Sequence, residues 1–527
     1  MKTSILICVL LLLACPVVFS QEGNTDNSEP SENIRTILEQ SRGESQYAIK
    51  REKIALLATV ESFYTQRSFE PAWFKSNKIT HQLEEMMTVL KDSGFEGLDP
   101  QDYHLSFLET AITKLKDKNN FNEKRLLTLA QADVLLTDAY FQYASNMSTG
   151  RLERLDLDPQ WHIEGRQKLE YIVQLNTDLT NDTVAASLIA LQPVHKEYVQ
   201  LKNKLKEMLV AQEKAYGKKA QELQENIAKV KINLERWRWL PQQLEDRYIL
   251  VNAADFTLDV IEKDVSQLHM KVIVGKAQRE TPAFSDVMTY VVFNPSWHAP
   301  RSIAIRDKLP LLKQDAAGLA KQGFQVFDEE VDDGVPISPD TIDWSTVTEE
   351  NFKYRIQQLP GPTNPLGRIK FMFPNQFDIY LHDTPDRFLF EKDQRMYSSG
   401  CIRIERPLDL AEYLFKVRDE ALDEGTRDEG RKDERTNIEK SKEDKTIWTL
   451  EKITAAIEAG KEQTVVLPEP IRVYILYITA WVDDNGELHF RDDIYGRDQK
   501  VDQKTLISTP KKECMYGMKC WFKNLIN

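Results

Sequence analysis

The sequence predicts an α+β protein: an α-helical N-terminal scaffold followed by a mainly β C-terminal domain. Three observations carry this. Across 34–230 apolar residues recur at spacings of three and four, as in "IALLATVESFY" and "RLLTLAQADVLLTDAYFQYASNM", the period of an amphipathic helix. Beyond "ERWRWLP" the period drops to two in "RYILVNAADFTLDVI", "LHMKVIVG" and "MTYVVFNPSWHAP", which favour Val, Ile, Tyr and Phe and are bounded by Gly, Pro and Asn. At 527 residues the chain also exceeds one ordinary core, so two or three structural units are expected.

Taken in order, the chain opens with "MKTSILICVLLLLACPVVFSQEG". Lys2, an apolar run over 5–19 and small Ser20 read as a secretory signal peptide at 1–20, too short and wrongly flanked for a membrane anchor. A lipoprotein signal ending at Cys15 ("LLAC") is a second reading, opposed by the apolar run continuing to Phe19. Residues 22–33 are polar and read as a disordered lead-in. Gly94, Gly97 and Pro100 punctuate the helices that follow, and the Lys-, Glu- and Gln-rich stretch over 199–231 reads as one long solvated helix. The β domain is expected over 231–505, with "FMFPNQFDIYLHDTP" as a strand pair, "LDLAEYLF" as a short helix, and "IRVYILYITAWVDDNGELHFRDDIYG" as a hairpin turning at Asp484, Asn485 and Gly486. Residues 416–446 carry dense charge with almost no large apolar side chain and read as a surface insertion; 506–527 form a tail.

A formal charge of −14 argues against nucleic acid as a partner, and no segment after the leader has the apolar length of a stable membrane span. An exported protein reads its cysteines in an oxidising compartment. Cys401, Cys514 and Cys520 lie outside the leader, an odd number, and the closeness of Cys514 to Cys520 makes a local disulfide plausible and leaves Cys401 free; three reduced thiols are the alternative.

That thiol sits in "LHDTPDRFLFEKDQRMYSSGCIRIERP", downstream of His382. A thiolate is the nucleophilic form of cysteine, and an imidazole can take the thiol proton. Gly400 permits a tight turn, and the amides of Ser399, Gly400 and Cys401 are candidate donors to an oxyanion. On spacing alone a packed thiol and a surface imidazole remain an open alternative.

"YLHDTP…SSGCIR", preceded by "GPTNPLGRIKFMFPN", resembles the catalytic signature of the L,D-transpeptidases with a YkuD-type domain, in their larger YcbB-like branch. "YTQRSFEPAWF", "GLDPQDYH", "LLTDAYFQYASNMSTGRL", "INLERWRWLP", "MKVIVGKAQRETPAFS" and "NPSWHAP" extend the resemblance over most of 60–500 in family order. The resemblance implies a periplasmic cell-wall enzyme without cofactor or metal. It would acylate Cys401 with a peptidoglycan tetrapeptide stem, release D-Ala, and pass the acyl group to an amine to give a 3-3 cross-link, with His382 as base. Hydrolysis as an L,D-carboxypeptidase, capture by a protein lysine, and a noncatalytic wall-binding scaffold are the alternatives, and carbapenem-type β-lactams are the expected covalent inhibitors.

Several neighbours have two readings. Asp383 orients the His382 ring or forms the turn that "DTP" favours, with a backbone carbonyl orienting the ring instead. Arg403 contacts a stem carboxylate or is a salt-bridged strand residue. Tyr380, Met372 and Asn375 line the donor groove, where alternate strand members must be core. Where the branch carries a small peptidoglycan-binding-like module, this chain has only the charged helix before "ERWRWLP"; about 302–362 occupies the position of a capping subdomain, and its acidic run meets a cationic acceptor or is a solvated loop.

Overall fold

The computed structural model describes residues 28–41, 47–116, 123–151, 158–166, 169–331, 334–416 and 448–499. The expected leader and Cys15, nearly all of the charged insertion, the C-terminal tail and the Cys514–Cys520 pair lie outside the described residues. Among the described residues no helix is long and apolar enough to cross a membrane. Contacts divide the chain into two units, one within Met1–Asp92, Asp99–Ala144 and Glu170–Ile189, the other within Ser93–Leu98, Ser145–Leu169 and Ala190–Asn527.

The first unit is helical: α1 (Ser28–Gln40), α2 (Leu57–Gln66), α3 (His81–Asp92), α4 (Leu105–Lys116), α5 (Glu123–Thr149), α6 (Tyr171–Asn181) and α7 (Val184–Ala190). Helix α1 begins inside the stretch expected as a disordered lead-in, because Ile34, Ile37 and Leu38 form one apolar face that is buried. Two short ladders that the 3.6 period conceals interrupt the helices, β1 (Ala48–Ile49) with β2 (Glu52–Lys53) and β3 (Phe74–Lys75) with β4 (Lys78–Ile79). Helix α5 is buried almost all round over 129–144, so its two aspartates need partners inside the protein. Asp133 accepts from the amides of Ala72 and Trp73 and from the Tyr64 hydroxyl; Asp138 accepts from the amides of Ala55 and Leu56 and pairs with His104. The carboxylates thereby pin "YTQRSFEPAWF" and the preceding loop to the central helix.

The second unit centres on a nine-stranded sheet in the order β14-β7-β15-β13-β12-β8-β16-β5-β6, whose last strand pairs back onto β7. Its strands are β5 (Arg247–Asn252), β6 (Thr257–Glu262), β7 (Val265–Gly275), β8 (Phe284–Phe293), β12 (Ile369–Met372), β13 (Leu381–His382), β14 (Met396–Ser398), β15 (Ile402–Ile404) and β16 (Gln463–Leu476). One face buries Val272, Val291, Ile369, Phe371, Leu381, Ile402, Ile404 and Val473, closed by α11 (Pro407–Phe415) through Leu410, Leu414 and Phe415. The expected strand pair and short helix are present.

Two expectations are corrected here. The charged stretch is not one solvated helix: it breaks into α8 (Lys196–Gln212) and α9 (Gly217–Arg238), whose Tyr198, Leu201, Leu205, Ile227, Val230 and Trp237 pack with Tyr248 and Tyr474 of the sheet. The apolar stripe is diluted by Lys and Glu, which hides it in composition. The expected C-terminal hairpin is only its distal part, β17 (Ala480–Val482) with β18 (Leu488–Phe490), turning at Gly486 with φ +80°; the preceding "IRVYIL" belongs to the long strand β16.

A smaller core stands apart within this unit. Strands β9 (Trp297–Ala299), β10 (Phe324–Asp328) and β11 (Tyr354–Gln358) pair in the order β10-β11-β9, and with α10 (Leu309–Lys321) they enclose Trp297, Phe324, Val326, Trp344, Phe352 and Ile356. Tyr380 packs against this core from the sheet side. Helix α12 (Leu450–Glu458) precedes β16.

Candidate active site

Register places the candidate residues. Lys370 of β12 pairs with His382 of β13, and His382 pairs with Arg403 of the parallel β15. Leu381 pairs with Phe371 and with Ile402, all three buried in the core. Because side chains alternate across a strand, Lys370, His382 and Arg403 lie together on the opposite face. Two positions along in the same register come Met372, Tyr380 and Cys401, and the Ile402 amide bonds to the Tyr380 carbonyl at 3.1 Å. Cys401, immediately before β15, therefore stands diagonally from His382 of β13 in the parallel register.

The imidazole is buried, with 4% of the residue exposed. Its Nδ1 lies 2.5 Å from the carbonyl oxygen of Asp383, which can only accept, so Nδ1 carries the proton and Nε2 the lone pair. Burial, with the Arg403 guanidinium next, pushes its pKa down to about 3. At neutral pH the ring is an uncharged base. The thiol of Cys401 is free and partly exposed, and its Sγ sits 3.7 Å from the Asp378 carbonyl. Burial pushes its pKa up, while hydrogen bonds from the amide and hydroxyl of Tyr380 and the charge of Lys370 pull it down. Both groups are thus neutral at rest.

The loop before the sulfur is fixed by side chains. Ser398 Oγ donates to the Cys401 carbonyl at 2.5 Å and accepts from the Gly400 amide at 3.2 Å. Thr281 Oγ1 donates to the Gly400 carbonyl at 2.7 Å and accepts from the Gly275 amide at 3.0 Å, and Tyr495 donates to the Gly275 carbonyl. Gly400 has φ +119°, a conformation that disfavours any side chain. Arg279 bonds to Ser399 Oγ at 2.7 Å and grips Asp307 with two bonds, tying this loop to the first turns of the smaller core.

Other candidates take structural roles. The Asp383 carboxylate bonds to the Arg368 amide and Arg387 and packs where a Cβ on Gly367 would stand, so its backbone carbonyl, not its side chain, orients the ring. The Asn375 side chain donates to the carbonyls of Phe373 and Ile379 and accepts from the amides of Phe377 and Ile379, closing the loop between β12 and β13. Arg403 pairs with Asp386 at 2.9 Å, the salt-bridged reading, although its Nε is buried without a partner. The Gly400 amide is held by Ser398 in this state, so it is not free as an oxyanion donor. In the acidic run Asp328 and Glu330 are paired with Lys353.

The reading by sequence passed over Lys370, Asp378, Thr281 and the Ser398 side chain. A signal existed for Thr281, inside the quoted "QRETPAF", and for Asp378, a non-glycine at φ +52°, only in the structure. Among the described residues, two groups offer three metal-ligating atoms within 4.8 Å of one another, His81 with Glu85 and Asp182, and Asp483 with Glu487 and His489; neither contains a residue of the Cys401 face.

A thiol and a buried neutral imidazole on one outward sheet face, with a side-chain-braced turn before the sulfur, define a site suited to acyl transfer through cysteine. Comparison with known proteins agrees with that class. Residues 246–427 match the L,D-transpeptidase catalytic domain of the YkuD family, and residues 58–205 match a scaffold domain. A Haemophilus influenzae protein provisionally named an L,D-transpeptidase is 30% identical over 273 residues, 52% of this chain and 48% of that protein, so the chain spans about half the length of this curated relative. The match to the L,D-transpeptidase catalytic domain covers the segment that holds His382 and Cys401.

Proposed function

We propose that the protein is an exported peptidoglycan L,D-transpeptidase that forms 3-3 cross-links. His382 Nε2 takes the Cys401 proton as sulfur attacks the carbonyl joining the L-centre of the third stem residue to terminal D-Ala. The proton passes to the departing amine, D-Ala leaves, and a thioester remains on Cys401. An amine from the third residue of another stem then attacks the thioester; the cross-link forms and the thiol regains its proton. The observation that carries this reading is the diagonal placement of Cys401, at the entry to β15, and His382 of β13, inside the segment that matches the catalytic domain. The reading of 1–20 as a secretory leader supports an extracytoplasmic setting, the one in which this substrate exists.

The test is incubation of the mature protein with purified disaccharide-tetrapeptide, followed by mass analysis. Cross-linked dimer with an equivalent of D-Ala is the expected product. Tripeptide with D-Ala and no dimer would replace cross-linking by hydrolysis, and unchanged tetrapeptide would refute the reading.

A further inference from the structure

The neutral imidazole leaves the attacking sulfur without the cation that a thiolate normally has beside it. With the ring's pKa held far below that of the thiol, transfer of the proton from Cys401 to His382 is strongly uphill unless something else stabilises the negative sulfur. The same sheet face carries a positive charge that no mechanism described above uses. Lys370 stands directly opposite His382 in the β12–β13 ladder. Its Nζ lies 3.9 Å from the centroid of the Tyr380 ring, and Tyr380 runs beside Cys401, the Ile402 amide bonding to the Tyr380 carbonyl. The side chain is half-buried, and among the described residues no carboxylate comes within salt-bridge distance of it.

We propose that Lys370 is the electrostatic partner of the Cys401 thiolate, acting across the Tyr380 ring, and that it rather than an imidazolium sets the acidity of the nucleophile. The proposal rests on Cys401 as nucleophile. In the step, sulfur yields its proton to His382 Nε2 and Lys370 supplies field and no proton; burial lowers the Lys370 pKa, so this field is lost at lower pH than for an exposed lysine. A cation held against an aromatic face is partly desolvated, and its field on a neighbouring anion is correspondingly less screened than in water.

The groups that face this pair are few. Tyr380 donates to the sulfur; Asp378 opposes the thiolate; Glu462, from the turn before β16, acts on the ammonium; Arg403 adds positive charge on the far side of His382, and His298 of β9 feels both Lys370 and Glu462.

Alkylation by iodoacetamide, resolved by peptide mass on the "SSGCIR" segment and followed from pH 6 to 11, tests this without any transpeptidation. Its outcome is therefore separate from that of the dimer assay. Lys370→Met and the polar Lys370→Gln are compared with Lys370→Arg, each shown to melt cooperatively. The expected result is a profile displaced upward by about one pH unit or more in the first two, read as roughly tenfold slower alkylation near pH 8, one unit being a tenfold change in thiolate. Lys370→Arg should restore the wild-type profile to within about threefold, since the charge is kept. Profiles for Met and Gln that superimpose on wild type would overturn the proposal, as would a displacement that Arg fails to rescue. If Lys370→Met does not fold, the comparison of Gln with Arg decides between the same two outcomes.

Discussion

The Nδ1 of His382 is hydrogen-bonded at 2.5 Å to the carbonyl oxygen of its own successor, Asp383. A backbone carbonyl can only accept, so in the neutral ring Nδ1 carries the proton and Nε2 is the basic nitrogen. The aspartate side chain is left to hold the turn at Gly367 and Arg368. From this follows the first expectation. Asp383→Asn, which keeps that carbonyl, should lower kcat by less than about tenfold. His382→Ala should lower it by about 10²–10⁴ at pH 7, the usual worth of a general base. Activity of His382→Ala should climb with pH as thiolate accumulates, and because burial raises the Cys401 pKa, that climb should continue above the range of an ordinary cysteine. A steady-state pH profile checks both variants; a flat profile for His382→Ala would contradict the role of base.

Burial of a neutral imidazole also makes stability depend on pH. The folded-state pKa of about 3 lies below the ordinary histidine value of 6.5, so between those pH values the unfolded chain binds a proton that the folded one refuses. This contribution is present above about pH 6.5 and is lost as pH falls toward 3, at up to about 1.4 kcal/mol per pH unit. Urea unfolding of wild type and His382→Gln at pH 7, 5 and 4 should show the variant losing less stability on acidification. Parallel slopes would mean the ring charges without penalty.

The turn before the sulfur makes a third expectation. Thr281→Val removes the hydroxyl that joins the Gly275 amide to the Gly400 carbonyl, leaving both buried groups unpaired, at a cost of about 1–3 kcal/mol. Displacement of the loop should slow acylation by about 10–100-fold, because small misplacements of reacting groups are expensive in rate. Thr281→Ser, keeping the hydroxyl, should recover most of it. Equal losses in Val and Ser would point to packing of the methyl group instead.

Much of this was legible in the sequence, for reasons that differ by element. The change of hydrophobic period at "ERWRWLP" marks the end of α9, and Cys401 and His382 stand out as chemistry-bearing types in a segment otherwise poor in them. The α8–α9 pair was hidden because its buried stripe is diluted by charge. Lys370 was hidden for a different reason: in "GRIKFMF" it is one polar residue in an alternating strand, and only the pairing of β12 with β13 sets it opposite the histidine.

In the helical unit, Asp133 gives a fourth expectation. Asp133→Ala leaves the amides of Ala72 and Trp73 and the Tyr64 hydroxyl without their acceptor in a fully buried place. Several unsatisfied buried donors should cost about 3–5 kcal/mol, enough to lower the melting of this unit by several degrees or to unfold it. Differential scanning calorimetry of the full chain reads this; an unchanged thermogram would contradict the pinning role of the carboxylate.

The central claim is that the Cys401 sulfur is the acyl carrier, and a carbapenem tests it most directly because its strained amide mimics the donor carbonyl and leaves a mass behind. Mature protein treated with carbapenem should gain one adduct, mapped by peptide mass to the segment containing "SSGCIR", and Cys401→Ala should gain none while melting as wild type does. An adduct placed on Cys514 or Cys520, or one acquired by Cys401→Ala at the wild-type rate, would contradict the account.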